Sequence, residues 1–375
     1  MTTAPQLLPA EAIFADELRF LAAWDTGHRP PGWQLTPRAA VVFVVGSGDE
    51  TLRLAGKSRQ SMRIVPKFVG QPALVERAIV TLAGERGLLL VGEPGTAKSM
   101  LSELLAAAVS GSSALTVQGT AGSTEEQLRY GWNYALLIAR GPHPEALVPS
   151  PVLTAMRGGA IARVEEITRC LPEVQDALIS ILSERRLAIP ELTGDAGTVY
   201  AEAGFNVIAT ANLRDRGVSE MSAALKRRFN FELVEPIADF AVERQLVERQ
   251  AAAALERVGA ALQVDEAVLE ALVTAFRDLR AGRTDEGWSV DRPGTVMSTA
   301  EAVAIASSLG LQAAYFGRDV VPLLPAYLLG AVRKDDPQDQ ARLLGYWDAA
   351  VKRRAEAGAE IWARLWELRS TLETP

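Results

Sequence analysis

A glycine-rich segment at residues 92–99 has the composition and spacing of a loop that binds phosphate. It reads Gly-Glu-Pro-Gly-Thr-Ala-Lys-Ser, follows the apolar run from Leu88 to Val91 and precedes a helical pattern. Glycines allow backbone torsions that a side chain forbids, so the N–H groups of such a loop can turn toward an anion at the helix N-terminus. Lys98 would place a positive charge on the β- and γ-phosphates of a nucleotide, and Ser99 would offer its hydroxyl to Mg²⁺.

The segment departs from the usual pattern at one position, since Ala97 stands where such loops ordinarily have glycine. Alanine is compatible with that position if its backbone is already helical, and this is the expectation here. The residues of this segment that we predict to bind the cofactor are Gly92, Glu93, Pro94, Gly95, Thr96, Ala97, Lys98, Ser99 and Met100.

Two carboxylates follow a second apolar run, from Ala160 to Val164. In a site that hydrolyses a nucleotide, Glu165 would hold the magnesium shell together with Ser99, and Glu166 would polarise the attacking water. The first acid is ordinarily aspartate, but Mg²⁺ keeps most of its waters, so an outer-shell glutamate can adapt. Arg163, inside the run, would pair with Glu165 or face a neighbouring subunit. Alternatively, both glutamates simply end an exposed strand.

Two more polar features follow apolar or helical patterns downstream. Asn212 ends a run that starts at Phe205, where its amide could orient the attacking water or contact the γ-phosphate, although asparagine also commonly forms turns. The bases Lys226, Arg227 and Arg228 close a helical pattern, where cations are favourable in their own right. One of them could also reach the γ-phosphate of a neighbouring subunit. We predict Arg228 for that role, with Arg227 as the second choice.

The elements that must position these residues alternate between strand-like and helical runs. Strands are predicted at 87–92, 114–118, 160–164, 205–210 and 231–236, with helical patterns at 98–109, 172–183 and 219–228. Alternation of this kind indicates an α/β fold, here a P-loop parallel sheet with helices on both faces, at residues 61–236. From residue 237 to 375 the patterns are all helical, and the last one, 338–372, is long and charged.

Residues 1–60 have mixed character and predict a short extension that packs on the chain or docks a partner. A helix is predicted at 11–24 and loops at 47–61. The apolar run from Ala39 to Val45 fits either a buried strand or a helix, because periodicity alone does not separate the two.

Composition limits the function classes. The 375 residues have a net charge of −7, which argues against a broad nucleic-acid-binding surface. The single cysteine, Cys170, forms no internal disulfide and indicates a reducing cytoplasm. With only His28 and His143 beside it, a zinc site is not expected. Neither a membrane-spanning run nor a signal peptide is predicted.

Taken together, these motifs resemble those of AAA+ ATPases, and more narrowly of the MoxR branch near its rubisco-activating and gas-vesicle members. The resemblance covers roughly residues 61–310. It rests on the phosphate loop, Asn212 and four further stretches: Phe68-Val-Gly-Gln71, 149–159, Glu165-Glu-Ile-Thr-Arg169 and 172–186.

The resemblance implies a ring of subunits, usually a hexamer, with ATP and Mg²⁺ at the subunit interfaces. In that arrangement Val69 and Gly70 would border adenine, Glu165 and Glu166 would form the Walker B pair, and Arg169 would touch the adjacent subunit. Residues 125–149 would form an insert that faces the pore or the substrate, and residues 186–207 a β-hairpin. The family also expects an arginine early in the second lid helix; here Arg292 lies before that helix. Either Arg292 substitutes for the lid arginine from the loop, or that sensor is absent.

The function implied is a ring-forming ATPase that remodels or activates a partner, often with a separate protein that carries a von Willebrand A domain. A second hypothesis is a scaffold that ATP assembles with little turnover. The glutamate at 165 and the lack of an arginine within the lid helix favour it, whereas Glu166, Asn212 and Arg228 oppose it. A DNA motor is a third, weaker hypothesis, since no nucleic-acid module is recognisable.

Overall fold

The computed structural model describes residues 8–55, 60–212, 219–334 and 336–373. The chain divides into two compact units. The first comprises Met1–Gly92 and Ala97–Glu235, and the second comprises Glu93–Thr96 and Pro236–Pro375. Across the described ranges, no helix combines the length and the apolar character needed to cross a bilayer.

The first unit mixes short and long helices with strands. Its helices are α1 Ala10–Ile13, α2 Ala15–Trp24, α3 Pro37–Val45, α4 Pro72–Ala83, α5 Lys98–Ser110, α6 Glu125–Leu128, α7 Tyr134–Arg140, α8 Pro151–Gly158, α9 Pro172–Asp176, α10 Leu178–Glu184 and α11 Ala223–Lys226. Its strands are β1 Leu52–Arg53, β2 Ser61–Met62, β3 Gly87–Gly92, β4 Thr116–Gln118, β5 Tyr130–Trp132, β6 Leu147–Pro149, β7 Ile161–Glu165, β8 Arg186–Ala188, β9 Thr198–Tyr200, β10 Asn206–Asn212 and β11 Phe229–Leu233.

Five of these strands form one parallel sheet in the order β11-β3-β10-β7-β4. Every residue of β3 and β7 is buried, as expected for a parallel sheet that is covered on both faces. Leu88 and Leu90 pack with the helices of one face, whereas Leu89 and Val91 pack with those of the other. The predicted α/β fold with helices on both faces of a parallel sheet is confirmed.

The N-terminal helices belong to the core of the first unit. The run at 39–45 is helical rather than a strand: Pro37 occupies the first turn, and the Thr36 hydroxyl caps the helix by accepting from the backbone N–H of Ala39. Phe43 is fully buried against the same core as α4 and α5. The buried Lys67 ammonium donates to the Phe43 carbonyl oxygen at 3.0 Å and pairs with Glu17.

Several predicted boundaries are wrong. Within the stretch predicted as loop, β1 and β2 pair antiparallel; residues 56–59 of that stretch lie outside the described ranges. The helix predicted at 219–228 is the single turn α11, which the Ser222 hydroxyl caps at its N-terminus. The predicted hairpin is confirmed: β8 and β9 pair antiparallel, with a 3₁₀ turn at Gly194–Gly197 between them.

The second unit is helical, as predicted. Its α-helices are α12 Phe240–Glu256, α13 Glu266–Ala281, α14 Thr299–Phe316, α15 Leu324–Val332, α16 Asp339–Tyr346, α17 Lys352–Glu356 and α18 Glu360–Glu367. The long helix predicted at 338–372 is instead divided. A π-helical turn at Trp347–Val351 separates α16 from α17, and Gly358, at a φ of 88°, separates α17 from α18. Gly358 is a break signal that the sequence shows, whereas the charged, helix-favouring residues around 347–351 do not reveal the π-helical turn.

An ion network connects helices of the second unit, with Arg354 and Asp278 buried and Glu286 at its exposed edge. The Arg354 guanidinium donates to Asp278 Oδ2 at 2.8 Å and to Glu286 Oε2 at 2.7 Å. The Tyr346 hydroxyl also donates to Asp278, at 2.9 Å. Hydrogen bonding to Arg354 lowers the pKa of Glu286 to about 2, whereas burial raises the pKa of Asp278.

Candidate functional site

The carboxyl ends of three neighbouring strands bring the predicted site residues of the first unit together. In the register of the sheet, Asn212 at the end of β10 is the partner of Gly92 at the end of β3. On the other side of β10, Ala209 pairs with Val164, next to Glu165 at the end of β7. Because ligands of open parallel sheets bind outside the carboxyl ends of the strands, this edge is the candidate site.

The phosphate loop connects β3 to α5, which begins at Lys98. Lys98 is buried, and its ammonium donates to the Gly92 carbonyl oxygen at 3.2 Å. Gly95 has a φ of 75°, which only glycine adopts without strain, and the Thr96 hydroxyl donates to the Glu93 carbonyl oxygen at 2.9 Å. The loop therefore leads directly into the N-terminus of a thirteen-residue helix, the geometry that favours anions.

Ala97 does not have the right-handed helical backbone that the sequence predicts. Its φ of 64° and ψ of 25° are left-handed, and it is the N-cap of α5 rather than its first helical residue. The glycine that such loops ordinarily carry at this position thus has a conformational reason, and Ala97 occupies the same conformation at a cost.

Glu165 is buried, and both of its carboxylate oxygens accept hydrogen bonds. Oε2 accepts from the Ser99 hydroxyl at 2.7 Å and from the Thr210 hydroxyl at 2.8 Å. Oε1 accepts from the Ser102 hydroxyl and, at 2.9 Å, from the Arg163 guanidinium. The structure therefore brings Ser99 and Glu165, the two predicted metal-side residues, into direct contact, and it resolves the two options for Arg163 in favour of the pair with Glu165.

Glu166 lies in a strained backbone conformation at the end of β7. Its φ is 53°, and its backbone N–H donates to the Thr210 hydroxyl at 2.9 Å. The side chain forms an ion pair with Arg169, the residue that the resemblance assigns to a subunit contact. A non-glycine residue at positive φ is uncommon and costs energy, so the neighbouring contacts must hold this conformation.

Arg227 and Arg228 differ in what surrounds them. The Arg228 guanidinium donates to the Ser183 hydroxyl and to the Ala224 carbonyl oxygen, each at 2.8 Å. Arg227 is exposed at the C-cap of α11. The hydrogen bonds and ion pairs found within the described residues leave the Arg227 guanidinium available, whereas the sequence alone favours Arg228.

The remaining predicted positions lie outside this contact network. Val69 is half-buried and Gly70 exposed, just before α4, and Met100 packs against the core of the first unit. In the second unit, Arg292 lines a cavity of about 400 Å³. Three other arginines line the same cavity: Arg277, Arg280 and Arg283.

The predicted insert at 125–149 is tied to Glu191, outside the insert, by a polar contact. It consists of α6, a two-stranded hairpin of β5 and β6, and α7, whose residues are all exposed or half-buried. The Tyr130 hydroxyl donates to Glu191 at 2.8 Å. Burial, together with that bond, raises the pKa of Tyr130 to about 12, and hydrogen bonds from its own backbone and from Tyr130 lower the pKa of Glu191.

Sequence reasoning missed three residues that shape the site. Ser102 is one helical turn after Ser99, and Thr210 is the polar residue inside the apolar run of β10; both signals are visible in the sequence. Gly119 follows β4, and a Cβ there would lie 2.4 Å from the Glu166 carbonyl oxygen. No sequence pattern predicts that close backbone approach.

The residues present fit a divalent cation that is shared with a phosphate. Within the ranges that the structure describes, no group of three or more His, Cys, Asp or Glu side chains could hold a metal ion. Ser99 is exposed, with the Glu165 carboxylate buried beneath its hydroxyl. A hydroxyl that donates to a carboxylate keeps its lone pairs for a cation, and Mg²⁺ ordinarily completes such a shell with waters and phosphate oxygens.

Comparison with known proteins gives matches to two family models and similarity to uncharacterized bacterial proteins. Residues 87–229 match the AAA domain (dynein-related subfamily), and residues 241–373 match the YehL-like AAA+ ATPase C-terminal domain. The chain is 51% identical over 351 residues to the uncharacterized protein YehL of Escherichia coli (strain K12), covering 93% of each chain. It is 29% identical to the uncharacterized protein SH1500 of Staphylococcus haemolyticus, covering 52% of this chain and 68% of that protein.

Among solved structures, the chain is similar to NtrX from Brucella abortus in complex with ATP. That similarity has 16% sequence identity and a TM-score of 0.48, and it covers 83% of this chain and 70% of NtrX.

Proposed function

Because this chain belongs to the YehL-like AAA+ ATPases, we propose that it binds ATP with Mg²⁺ at the strand-end site and hydrolyses it. The observation that carries the proposal is the 2.7 Å hydrogen bond from Ser99 to Glu165. It joins the end of the phosphate loop to the acidic end of β7, the two halves that phosphoryl transfer to water requires.

Each residue of the site has a chemical task in this proposal. The loop N–H groups and the Lys98 ammonium hold the β- and γ-phosphates. Ser99 and Glu165 would hold Mg²⁺, which when bound neutralises developing charge on the phosphates. Glu166 accepts a proton from the attacking water, and Asn212 orients that water or contacts the γ-phosphate.

Steady-state ATPase activity of the wild type beside Glu166→Gln tests the proposal, with oligomer size measured with and without ATP. We expect clear turnover in the wild type and a loss of about 10²-fold or more in the variant, since a positioned base contributes 10²–10⁴-fold. ATP binding and assembly should persist in the variant. Near-zero turnover in both proteins, with ATP-dependent assembly, would contradict hydrolysis and favour the scaffold.

The scaffold that ATP switches is the second candidate, and one contact favours it. The Glu166 carboxylate is paired with Arg169, and this pair competes with the role of Glu166 as a base for the attacking water. Hydrolysis requires that pair to open when ATP binds. Comparing Arg169→Ala with the wild type separates the two candidates: turnover near zero in both proteins favours the scaffold, whereas clear turnover in either protein favours the ATPase.

We further propose that the chain acts in the manner of the MoxR branch, as a homo-oligomeric, hexameric ring in the cytoplasm. Its buried Cys170 is unpaired, in keeping with a reducing compartment. Hydrolysis at subunit interfaces would move one subunit against the next and so remodel a separate client or a von Willebrand A domain protein. Co-purification of such a partner with the Glu166→Gln variant in ATP, and its release with ADP, is the expected result.

A further inference from the structure

An arginine sits inside the buried strand that carries the metal-side carboxylate. Side chains alternate along a strand, so Ile161, Arg163 and Glu165 of β7 share one face, the face toward α5. Both charged side chains are buried, with residue exposures of 9% for Arg163 and 4% for Glu165. Burying a guanidinium is costly unless it is paired and fully hydrogen-bonded, so its retention here needs an explanation.

The donors of Arg163 reach three different segments of the chain. Nε donates to the Ser102 hydroxyl at 2.9 Å, and Nη2 donates to the Ser99 carbonyl oxygen at 3.0 Å, both in α5. Nη1 donates to the Ser113 carbonyl oxygen at 3.1 Å, before β4. Nη2 also donates to Glu165 Oε1 at 2.9 Å. The guanidinium thus ties the first turn of α5 to β7 at the level of the metal-side residues.

The contacts of Glu165 show what the Arg163 hydrogen bonds achieve at the site. Its Oε1 atom is held by Arg163 and Ser102, which leaves Oε2 directed at the Ser99 and Thr210 hydroxyls. Aspartate is one methylene shorter, and its carboxylate could not reach both groups of donors from the same backbone position. The longer acid and the buried arginine therefore form one matched unit.

We propose that Arg163 is a positioning residue that makes glutamate effective at position 165. It fixes one oxygen of the Glu165 carboxylate, so that the other oxygen accepts the hydrogen bond from the Ser99 hydroxyl. The lone pairs of that hydroxyl then remain available to the cation of a bound MgATP. This inference rests on the proposed function and deepens it, since it assigns a residue that controls how strongly the site depends on Mg²⁺.

Titration with Mg²⁺ tests the proposal through binding rather than turnover. A fluorescent ATP analogue is bound to the full chain in EDTA and then across a range of free Mg²⁺. For Arg163→Met, we expect the half-saturating Mg²⁺ concentration to rise about tenfold or more, while affinity for the Mg²⁺-free analogue stays within about threefold. A general structural defect would weaken both affinities together, and equal values in variant and wild type would overturn the proposal. A lower Mg²⁺ requirement in Arg163→Met would also overturn it, because the arginine would then only repel the cation.

The matched pair gives a second, sharper outcome. Glu165→Asp should raise the Mg²⁺ requirement in the wild-type background, because Arg163 would draw the shorter carboxylate away from Ser99. The double variant Arg163→Met with Glu165→Asp frees that carboxylate, and we expect a lower requirement than in either single variant. If the effects of the two substitutions on the Mg²⁺ requirement were simply additive, Arg163 and Glu165 would act independently, which would contradict the proposal.

Two control variants distinguish the proposed role of Arg163 from a general loss of folding, and the wild-type measurement tests the proposed function itself. Arg77→Met removes a bidentate pair with Glu232 elsewhere in the same unit and should leave the Mg²⁺ requirement unchanged. Arg163→Lys keeps the charge but not the four hydrogen bonds; it should give an intermediate shift even if Arg163→Met fails to fold, and an unchanged requirement would count against the proposal. If the wild type binds no ATP analogue at all, the proposed function fails rather than this inference.

Discussion

Backbone strain at the site is concentrated in two side-chain-bearing residues, Ala97 and Glu166. Left-handed backbone costs an L-residue about 1–2 kcal/mol. Ala97 has φ 64° at the start of α5, and Glu166 has φ 53° at the end of β7. Both flank the edge where the phosphate loop meets the acidic pair, and strain of this kind persists only where surrounding contacts over-determine it.

The strain at Ala97 predicts opposite effects for two substitutions. Ala97→Gly should stabilise the first unit by about 0.5–1 kcal/mol, because the gain from relieved strain exceeds the added entropy of the unfolded chain. Ala97→Val should destabilise it, since a β-branched residue is a poorer fit at positive φ. Urea unfolding of both variants beside the wild type measures the difference. A loss of stability in Ala97→Gly would show that the alanine methyl group contributes more packing than its backbone costs.

At this scale the sequence predicts which residues meet but not how they are held. Lys98, Ser99 and Glu165 follow from motif spacing, since the residue types required by phosphate and Mg²⁺ are few. The conformation of Ala97 could not be predicted, because a motif shows residue types and not torsions. The role of Ser102 depends on the direction of the Arg163 side chain. The sequence alone does not determine whether that side chain reaches α5 or faces outward.

Among the elements, the C-terminal helices are held by ions as well as by apolar packing. Arg354 of α17 joins Asp278 of α13 to Glu286 of the following loop, and its guanidinium lies 4.7 Å from the ring centroid of Trp362 in α18. Breaking a buried pair by removing one partner is more damaging than its net contribution suggests, because the other charge is left uncompensated.

This network makes the stability of the second unit sensitive to acid. The folded-state pKa of Glu286 is about 2, below its ordinary value of 4.5. Its contribution is therefore present above pH 4.5 and lost as the pH falls toward 2. The raised pKa of Asp278 acts in the opposite sense, since its protonated form is favoured in the folded state. Because Glu286 is 40% exposed, we expect its contribution to be only about 1 kcal/mol.

Glu286→Gln tests this dependence by removing the titrating carboxyl. The variant should be less stable than the wild type at pH 7 and approach it near pH 2, so its stability falls less steeply between pH 4.5 and 2. Urea unfolding followed by tryptophan fluorescence is a suitable measurement, since Trp288 and Trp362 both lie beside Arg354. Glu356→Gln, an exposed position on α17, is the matched control. Parallel pH profiles for Glu286→Gln and the wild type would contradict the assignment.

The existence of elements is predicted better than their ends. Short, mostly apolar runs between turn signals identify β3 and β10, because both faces of a parallel strand are buried. The run at 39–45 is equally apolar, and only the capping Thr36 and the proline after it mark it as a helix. The π-helical turn has no such signal in the sequence. There the indole of the fully buried Trp347 donates to the carbonyl oxygen of Leu365 in α18.

For the whole molecule, the proposed ring would complete each site with an arginine from a neighbouring subunit, and of the two predicted arginines Arg227 is the better placed. Arg228 is already bonded within its own subunit to Ser183 and Ala224, whereas Arg227 projects from the end of α11. In a symmetric ring every subunit would offer the same arginine to the next.

Mixing two inactive variants tests whether this arginine acts on a neighbour. Glu166→Gln and Arg227→Ala should each lose turnover alone. Randomly mixed subunits should recover about a quarter of wild-type activity, because about one interface in four combines an intact Glu166 with an intact Arg227 from the next subunit. No recovery would exclude action between subunits. Recovery with Arg228→Ala instead would assign the role to Arg228.

At the level of the molecule, the sequence predicts an α/β core followed by helices. Alternating and purely helical patterns are visible in short stretches of sequence, without knowledge of the contacts between them. The sequence leaves open whether the N-terminal helices pack on the chain or dock a partner, and the structure places them in the core of the first unit. The Lys67 ammonium and the Phe43 carbonyl oxygen that join them are ordinary residues in sequence and acquire their partnership only in the folded chain.

The strand order of the sheet also has a consequence for biosynthesis. Leu88 of β3 pairs with Ile208 on one side and with Asn230 on the other, so both partners emerge from the ribosome more than a hundred residues after it. At about 5–20 residues per second, the nascent chain exposes this apolar strand for on the order of ten seconds before either neighbour exists. Protection of a newly made β3 therefore falls to the α-helices already synthesised, or to a chaperone at the exit tunnel.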